Sequence, residues 1–290
     1  MKELIVITGP TAVGKTGFTI ELAKKWNTEI VSCDSRQFFK ELSIGTAKPT
    51  DEEMQGIPHH FINSHSILEE YNAGKYEIDA VEKINSLFKA HDKVILTGGS
   101  GLYLNAVLFG IDEMPTVPTK IKEQVTSDYK NRGLAFLQSE IKRLDPQFYS
   151  EVDDQNHTRL IRALEVMRAS GKSFSSFRKN THQSRPWEAK IYILNRDRKE
   201  LHDRINLRVD MMIESGLIDE VKSVVKYKDH RALKTVGYQE VFEFLEGSIS
   251  IERAIELIKR NTRRYAKRQL TWFRRLDNTT WLYPPFKIDR

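Results

Sequence analysis

The sequence predicts an α/β fold with a parallel sheet, a helical insertion and a helical C-terminal region. Over roughly the first hundred residues, short apolar runs alternate with stretches of helical spacing. This alternation is typical of parallel strands joined by helical crossovers. Near Gly110 the pattern changes, because prolines and long polar helical stretches replace the apolar runs. These observations predict an α/β core interrupted by a second, helical domain.

The predicted strands are short apolar runs that stop at glycine or at polar residues. They cover residues 3–8, 29–34, 93–97 and 189–195. A helix is predicted over 15–26, with Phe18, Leu22, Ala23 and Trp26 on one face, and another over 102–108. Nearly continuous apolar strands are the sign of a sheet that is covered on both faces.

The predicted insertion covers residues 112–185, and the core covers 1–111 and 186–290. Residues 119–170 have helical character that breaks at Asp145-Pro146. Capping signals place the start of one helix near Asn156 and its end at Gly171. The polar stretch 172–185 is predicted to be a loop, and the chain after the 189–195 strand to be mostly helical.

The charge is concentrated near the C-terminus. The whole chain has a net charge of +6, whereas residues 251–290 hold eleven basic and four acidic residues. Such a basic segment indicates a polyanion partner, although basic helices are often only solvated faces. No apolar run reaches the roughly 18 residues of a membrane span, and no signal peptide is apparent, so a cytoplasmic protein is expected. The single cysteine, Cys33, excludes intrachain disulfides and thiolate clusters, and its context favours a small buried residue.

The segment Gly9-Pro10-Thr11-Ala12-Val13-Gly14-Lys15-Thr16 matches the pattern G-x-x-x-x-G-K-[ST]. It follows a predicted strand and opens a predicted helix, which is the required context. Backbone N–H groups of Gly9, Thr11, Ala12, Val13 and Gly14 can surround phosphate oxygens, and the helix N-terminus favours negative charge. Lys15 can bridge phosphates, and the Thr16 hydroxyl can reach Mg²⁺. The motif predicts a P-loop NTPase-like core that binds a diphosphate or a triphosphate.

A kinase or ATPase normally adds a carboxylate for Mg²⁺ at the end of another strand. The third predicted strand ends instead in Gly98-Gly99, without an acid. Asp34, at the end of the second strand, is the nearest alternative, and it can be a metal ligand, a general base or a helix N-cap. His59 and His60 follow Pro58, where we expect a turn rather than a metal site.

Several further motifs are distributed along nearly the whole chain. They are Asp34-Ser35-Arg36-Gln37, Gly45-Thr46-Ala47-Lys48-Pro49, Gly56-Ile57-Pro58-His59-His60, Gly98-Gly99-Ser100-Gly101-Leu102-Tyr103, the stretch 159–166, the helix 204–212, Lys234-Thr235-Val236-Gly237-Tyr238-Gln239, and Lys267-Arg268-Gln269-Leu270-Thr271-Trp272-Phe273-Arg274. With the phosphate loop (residues 9–16), they make the chain resemble the bacterial tRNA dimethylallyltransferases.

The resemblance implies that dimethylallyl diphosphate occupies the phosphate loop. The acceptor would be the exocyclic N6 of the adenosine immediately 3′ of the anticodon. By this resemblance, Asp34 is the general base that takes a proton from N6. Arg208 matches the arginine that steadies the leaving diphosphate, and Lys15 would help to stabilise the charge on that group. Ser100 stands where the family usually has Thr and would, as a catalytic residue, contact the diphosphate or the acceptor. Phe39 stands where the family often has Tyr.

The resemblance also implies a set of tRNA contacts, with the anticodon stem-loop as partner. Ser35 and Gln37 match positions that touch the flipped base, and Lys122 matches a contact in the insertion. The full set is Asp34, Ser35, Arg36, Gln37, Ser100, Lys122, Thr158, Arg159, Arg162, Lys234, Gly237, Tyr238, Gln239, Lys267, Arg268 and Arg274. A monomer is expected.

The basic helix near the C-terminus fits this interpretation. Its apolar residues form one stripe at helical spacing, namely Ile251, Ile255, Ile258, Tyr265, Ala266, Leu270 and Phe273. The basic residues mostly lie off that stripe, so the helix can dock on the core and present cations to phosphates. Trp272 and Phe273 are expected to pack in the core rather than to stack on bases.

Three other functions remain open from the residues alone. A small-molecule kinase would explain the phosphate loop, but not the Asp34 motif or the basic helix. A prenyltransferase for free adenine nucleotides would need neither the insertion nor that helix. A non-catalytic RNA-binding protein would not need Lys15, Thr16, Asp34 and Arg208 together.

Overall fold

The computed structural model describes residues 2–179 and 183–288. They divide into two compact units, Met1–Phe109 with Ser184–Arg290, and Gly110–Gln183. The predicted loop 172–185 includes residues 180–182, which lie outside the described residues. Its described part contains one short 3₁₀ turn, Ser175–Phe177.

The larger unit is built on one six-stranded parallel sheet. Its strands are β1 (Glu3–Thr8), β2 (Ile30–Ser32), β3 (His59–His60), β4 (Lys93–Gly98), β5 (Glu188–Leu194) and β6 (Thr279–Leu282), in the spatial order β3-β2-β4-β1-β5-β6. The prediction of a parallel α/β sheet is therefore confirmed. Two strands were missed, and the expected turn at His59 and His60 is wrong, because these residues pair with Ile30 and Val31.

The central strand β1 explains why the sheet is covered on both faces. Leu4 and Val6 point into one apolar cluster, while Ile5 and Ile7 point into a second cluster on the other face. Alternate residues of a strand face opposite sides, so an entirely apolar strand must be covered twice. Each face is buried by helices that return the chain to the next parallel strand.

The helices of the larger unit surround the sheet and extend beyond it. They are α1 (Lys15–Trp26), α2 (Asp51–Met54), α3 (Ala73–Leu87), α4 (Gly101–Phe109), α8 (Arg198–Glu214), α9 (Leu217–Ser223), α10 (Tyr238–Leu245) and α11 (Ile251–Phe273). The sequence did not predict α3. A third apolar cluster, which includes Val209, Tyr238 and Ile258, joins the C-terminal helices.

The smaller unit is helical, with α5 (Thr119–Leu144), α6 (Pro146–Glu151) and α7 (His157–Ser170). The break predicted at Asp145-Pro146 is present, and Asp145 Oδ1 accepts a hydrogen bond from the Phe148 N–H. The α7 ends are also as predicted, since Asn156 caps the start and Gly171 adopts a left-handed conformation at the end. Leu137, Ile141 and Leu160 belong to a core within this unit.

Among the described residues, none of the helices combines the length and apolar character required to cross a bilayer. Cys33 is 1 % exposed and packs in the core cluster under the sheet, as expected for a small buried residue.

Candidate active site

The phosphate loop (residues 9–16) connects the carboxyl end of β1 to the first turn of α1. Gly9 has a φ of +148°, and a Cβ there would collide with the Leu194 carbonyl oxygen of the neighbouring strand. Only glycine therefore fits where the loop leaves the sheet. The Lys15 ammonium lies against the loop and donates to the Gly9 and Pro10 carbonyl oxygens, each at 2.9 Å.

Lys15 is poised to change its charge near neutral pH. Its pKa is lowered to about 8, mainly by burial and to a smaller extent by Arg208, whereas the nearby Asp34 carboxylate opposes the shift. The charged form is thus disfavoured mainly by loss of water. An anion entering the loop would restore a partner for that charge.

Three arginines from the segment after β5 support the phosphate loop from outside. Arg196 Nε donates to the Val13 carbonyl at 2.7 Å, and Arg204 Nε donates to the Ala12 carbonyl at 2.8 Å. Arg208 donates to Thr11 Oγ1 at 3.0 Å. Its pKa is lowered by burial, an effect that Glu53 and Asp34 oppose. The loop is thereby surrounded by fixed positive charge.

The Asp34 turn (residues 34–37) begins two residues beyond β2, at the same edge of the sheet. Asp34 Oδ1 accepts the Arg36 N–H at 3.0 Å, and the Asp34 N–H donates to Ser32 Oγ at 3.3 Å. Residues 35–38 form a turn and not a helix, so the N-cap interpretation of Asp34 is wrong. Its side chain closes a local turn through one carboxylate oxygen.

A second glycine loop, Gly98–Gly101, lies between β4 and α4. Its Ser100 hydroxyl accepts the Ser35 N–H at 3.0 Å and donates to Ser35 Oγ at 3.0 Å. The Tyr265 phenol from α11 reaches the same place. Burial raises its pKa, the Asp34 charge raises it further, and a hydrogen bond with Ser100 lowers it. Asp34, Ser100 and Tyr265 are therefore close neighbours.

The remaining residues of the Asp34 turn are held by protein groups. Arg36 donates to the Arg231 and Ala232 carbonyls at 3.3 and 3.2 Å, and burial lowers its pKa. Gln37 Nε2 donates to the Thr46 and Ala47 carbonyls at 3.2 and 3.1 Å. Phe39, at the position where the family often has Tyr, is buried in an apolar cluster.

The Lys234–Gln239 motif divides between surface and core. Lys234 and Gln239 are exposed, whereas Tyr238 is 0 % exposed and its hydroxyl donates to Glu220 at 2.5 Å. This burial does not support a direct tRNA contact by the Tyr238 side chain. The Gly237 N–H donates to Glu240 at 2.8 Å, and Asn261 of α11 donates to the same carboxylate at 2.7 Å. Tyr238 and Gly237 thus fix the segment that carries Lys234.

Glu220, which accepts the Tyr238 hydroxyl, also binds a second segment. It accepts three backbone N–H groups, from Ser43, Ile44 and Gly45, at 2.7–2.9 Å. This carboxylate therefore ties the Gly45–Pro49 motif to α9. Structural contacts therefore hold this motif in place.

The last helix, α11, has two chemically different faces. Lys267, Arg268 and Arg274 are exposed on the outer face. The inner face buries Ala254, Ile258, Ala266, Gln269 and Phe273. The expected core packing of Phe273 is confirmed, because it is 0 % exposed within an apolar cluster. Gln269 is the one polar side chain among these buried residues.

Four predicted contact residues belong to the smaller unit. Lys122 lies in the first turn of α5. Thr158, Arg159 and Arg162 are on the first half of α7, where Arg162 pairs with Glu165 at 3.5 Å. The three α7 side chains share one end of one helix, as the motif spacing predicts.

Sequence reasoning missed three residues that hold the site, namely Arg196, Arg204 and Gln269. Arg204 was detectable, because it precedes Arg208 by four residues and so shares its helix face. Gln269 was also detectable, because it interrupts the apolar stripe of α11 and a polar group at a core position requires partners. Nothing in the local sequence singles out Arg196.

A family model described as IPP transferase matches residues 37–276 of this chain. The tRNA dimethylallyltransferase of Cytophaga hutchinsonii is 46 % identical over 98 % of this chain and 93 % of its own length. The tRNA dimethylallyltransferase 1 of Bacteroides thetaiotaomicron is 44 % identical over 98 % of this chain and 92 % of its own length.

Solved structures that are similar to this chain carry related names. The tRNA isopentenylpyrophosphate transferase of Bacillus halodurans has a TM-score of 0.71 and 36 % identity, covering 98 % of this chain and 90 % of that one. A eukaryotic dimethylallyltransferase acting on tRNA has a TM-score of 0.80 and 27 % identity, covering 98 % of this chain and 74 % of that one. These similarities extend over both units of the chain.

Proposed function

This chain belongs to the IPP transferase family, and from that premise we propose that it is a tRNA dimethylallyltransferase. It transfers a dimethylallyl group from dimethylallyl diphosphate to N6 of the adenosine immediately 3′ of the anticodon. The observation that carries the proposal is the meeting of a phosphate loop, the Asp34 carboxylate and the Ser100 hydroxyl at one edge of the sheet. Such an edge is where α/β folds bind their ligands.

The reaction forms one bond and breaks one. N6 attacks the allylic carbon, the bond from that carbon to the diphosphate oxygen breaks, and N6 loses a proton. Negative charge develops on the departing diphosphate. We propose that Lys15, Arg208 and the loop N–H groups, apart from that of Thr11, which donates to Gln269, stabilise this charge. One preorganised donor of this kind is worth about 3 kcal/mol.

Asp34 is proposed to take the proton. The adenine amine is a weak nucleophile, because its lone pair is delocalised into the ring. A carboxylate in contact with the amine accepts the proton as the C–N bond forms, which typically contributes ~10²–10⁴ in rate. Lys15 and Arg208 lie close enough to Asp34 for its charge to raise the pKa of each of them.

Mg²⁺ fits the donor set of the phosphate loop. No group of three or more acidic, histidine or cysteine side chains suited to a metal occurs among the described residues. The Thr16 hydroxyl, at the position of the phosphate-loop motif that reaches Mg²⁺, is the proposed protein ligand, with diphosphate oxygens beside it. Mg²⁺ commonly takes few protein ligands together with substrate phosphates. When bound, it neutralises part of the diphosphate charge.

The tRNA is proposed to bind through exposed cations and the Asp34 turn. Lys267, Arg268 and Arg274 on α11 contact the phosphate backbone, and Lys234 and Gln239 extend this surface. Ser35, Arg36, Gln37 and Ser100 surround the flipped adenine. Extruding a loop base costs a few kcal/mol, which is tolerable for a single-stranded target.

The helical unit is proposed as the second tRNA-binding region, through Lys122, Thr158, Arg159 and Arg162. We take its limits as 112–185 and those of the catalytic core as 1–111 and 186–290. The enzyme is proposed to act as a monomer in the cytoplasm, where unmodified tRNA is present.

The defining experiment is transfer of radiolabelled dimethylallyl diphosphate to unmodified tRNA with Mg²⁺. Two controls run in parallel: AMP as acceptor, and a tRNA with guanosine in place of the target adenosine. We expect label only in the unaltered tRNA, at N6 after digestion. Label in AMP would favour a free-nucleotide prenyltransferase, and phosphoryl transfer from ATP without any prenyl transfer would favour a kinase.

The salt dependence of tRNA binding tests the role of the exposed cations on α11. Replacing Lys267 and Arg268 with Gln should weaken tRNA binding and reduce the slope of log affinity against log salt by about 1 for each phosphate that is no longer neutralised. The matched control replaces Lys24 and Lys25, which lie in the last turn of α1, at the opposite edge of the sheet. Equal effects in both double variants would contradict a localised backbone contact.

A further inference from the structure

Gln269 connects two loops that are far apart in sequence. Its Oε1 accepts the Thr11 N–H of the phosphate loop at 2.9 Å, and its Nε2 donates to the Gly99 carbonyl at 2.9 Å. The side chain is 6 % exposed on the inner face of α11. The Gln269 amide thus pairs with an N–H of the loop between β1 and α1 and with a carbonyl oxygen of the loop between β4 and α4.

The two backbone partners dictate which side chain can occupy this position. Thr11 presents its backbone N–H to Gln269, and Gly99 presents its carbonyl oxygen. The group between them must therefore accept a hydrogen bond on one side and donate one on the other. A primary amide does both, and the orientation of its oxygen and nitrogen follows from those partners. An apolar side chain of the same size would remove the partner of both backbone groups and would leave the buried Gly99 carbonyl without this hydrogen bond.

Gly99 is shaped to receive this amide. A Cβ at Gly99 would collide with the Gln269 nitrogen, so the close approach requires glycine. On the other side, Thr11 is also held by Arg208, which donates to its hydroxyl at 3.0 Å. The phosphate loop is therefore fixed at Thr11 from both directions.

The connection continues from the glycine loop to the Asp34 turn. Ser100, the residue after Gly99, accepts the Ser35 N–H at 3.0 Å, and Ser35 follows Asp34. A continuous series of contacts thus leads from the loop that holds the leaving group to the turn that holds the base. Gln269 is the only side chain of α11 that contributes a hydrogen bond to both glycine-rich loops, among the described residues.

We propose that Gln269 is a positioning residue that sets the distance between the bound diphosphate and the Asp34 base. This rests on the proposed function. The residue touches neither substrate, and it acts through Thr11 and Gly99. Because a displacement of about 1 Å can cost ~10² in rate, loss of this connection should lower kcat far more than tRNA affinity.

The test uses Gln269→Leu, Gln269→Glu and Phe273→Leu in the full-length protein. Gln269→Leu should lower kcat by about 10–100-fold and leave the KM for tRNA within about twofold. Phe273 lies one turn further along the same buried face, so Phe273→Leu controls for general loss of core packing. It should retain near-normal kcat well below its melting temperature. Equal kcat for Gln269→Leu and Phe273→Leu would overturn the proposal.

The pH profile of Gln269→Glu separates positioning from bulk packing. A protonated carboxyl accepts and donates like an amide, whereas a carboxylate only accepts and would face the Gly99 carbonyl. The ratio of Gln269→Glu kcat to wild-type kcat should therefore rise as pH falls through the pKa of the introduced carboxyl, which burial raises. The same ratio for Gln269→Leu should stay flat. A flat ratio for both variants would refute the role.

Binding of inorganic pyrophosphate, measured by calorimetry, makes the test independent of prenyl transfer. Weaker binding by Gln269→Leu than by Phe273→Leu is expected, because the Thr11 side of the phosphate loop is released. If the wild-type protein failed to prenylate tRNA, the proposed function would fail while this result still stood. If prenylation succeeded and the two variants bound pyrophosphate equally with equal kcat, Gln269 would have no positioning role.

Discussion

The phosphate loop and the Asp34 turn lie at the same edge of one sheet, yet they are held in different ways. The phosphate loop depends on side chains from distant segments, since Arg196, Arg204 and Gln269 hydrogen-bond its backbone. The Asp34 turn is closed by its own residues, through the bond from Arg36 N–H to Asp34. Ser100 and the side chains of Arg36 and Gln37 then tie that turn to the surrounding structure.

The difference separates two demands of the reaction. A loop that receives a multiply charged leaving group needs cations in fixed positions, and those must come from several elements. A base needs one carboxylate oriented by a short turn. Changes to the Asp34 turn should therefore alter proton transfer, whereas changes around the phosphate loop should alter diphosphate binding and departure.

The largest effect is expected for Asp34→Asn. Asparagine keeps an oxygen for the Arg36 N–H, so the turn is preserved and only the base is lost. We expect kcat to fall by ~10²–10⁴, with little change in binding of either substrate. Single-turnover prenylation at saturating tRNA measures this. Near-normal turnover with both substrates bound would exclude Asp34 as the base.

Arg208→Gln tests the contacts around the phosphate loop. Loss of the donor that we propose to steady the leaving diphosphate should cost about 3 kcal/mol, or ~10² in kcat/KM for dimethylallyl diphosphate. Arg208→Lys should recover part of this, because lysine keeps the charge but not the planar fork. The control is Arg198→Gln, an exposed change in the first turn of the same helix. A loss seen only in the KM for tRNA would contradict the assignment.

The Asp34 turn is also held by Ser100, whose hydroxyl makes two hydrogen bonds with Ser35. Ser100→Ala removes both hydrogen bonds to Ser35 and should lower kcat by about tenfold, through misplacement of the acceptor pocket. Ser100→Thr keeps the hydroxyl and should remain within about twofold of wild type. Steady-state kinetics with saturating dimethylallyl diphosphate gives the comparison. Equal losses for Ala and Thr would indicate crowding and not hydrogen bonding.

The smallest effect concerns the charge of Lys15. Its pKa is lowered to about 8, so the ammonium is present below that pH and is lost as pH rises above it. Pyrophosphate affinity should therefore fall by roughly eightfold between about pH 7.5 and 9 in the wild type. Lys15→Arg remains charged throughout and should show a flatter profile. Parallel profiles for the two proteins would show that Lys15 does not titrate in this range.

Much of the fold follows from the sequence because four of the six strands carry their own signal. β1 and β4 are apolar along most of their length, and their helices begin at glycine loops. The missed strand His59–His60 is too short and too polar for such a signal, and it forms only by pairing with β2. Tertiary contacts decide such elements, which is why strand propensity fails there.

The site was predictable only in part, for a related reason. Lys15 and Asp34 stand in local motifs, whereas Arg196 reaches the carbonyl of Val13, which lies 183 positions earlier in the chain. Tyr238 lies within a motif that predicts a surface contact, yet its ring is fully buried. Motif spacing identifies which residues belong together, but burial and hydrogen bonding determine what each of them does.

The position of Gln269 has a consequence for synthesis of the protein. The phosphate loop leaves the ribosome well before its partner on α11, which emerges 258 residues after Thr11. At about 5–20 residues per second, that interval is tens of seconds. For most of it, β1 also lacks its neighbour β5. A nascent chain therefore carries a recognisable phosphate motif without a competent diphosphate site, so an incomplete chain would not sequester the prenyl donor.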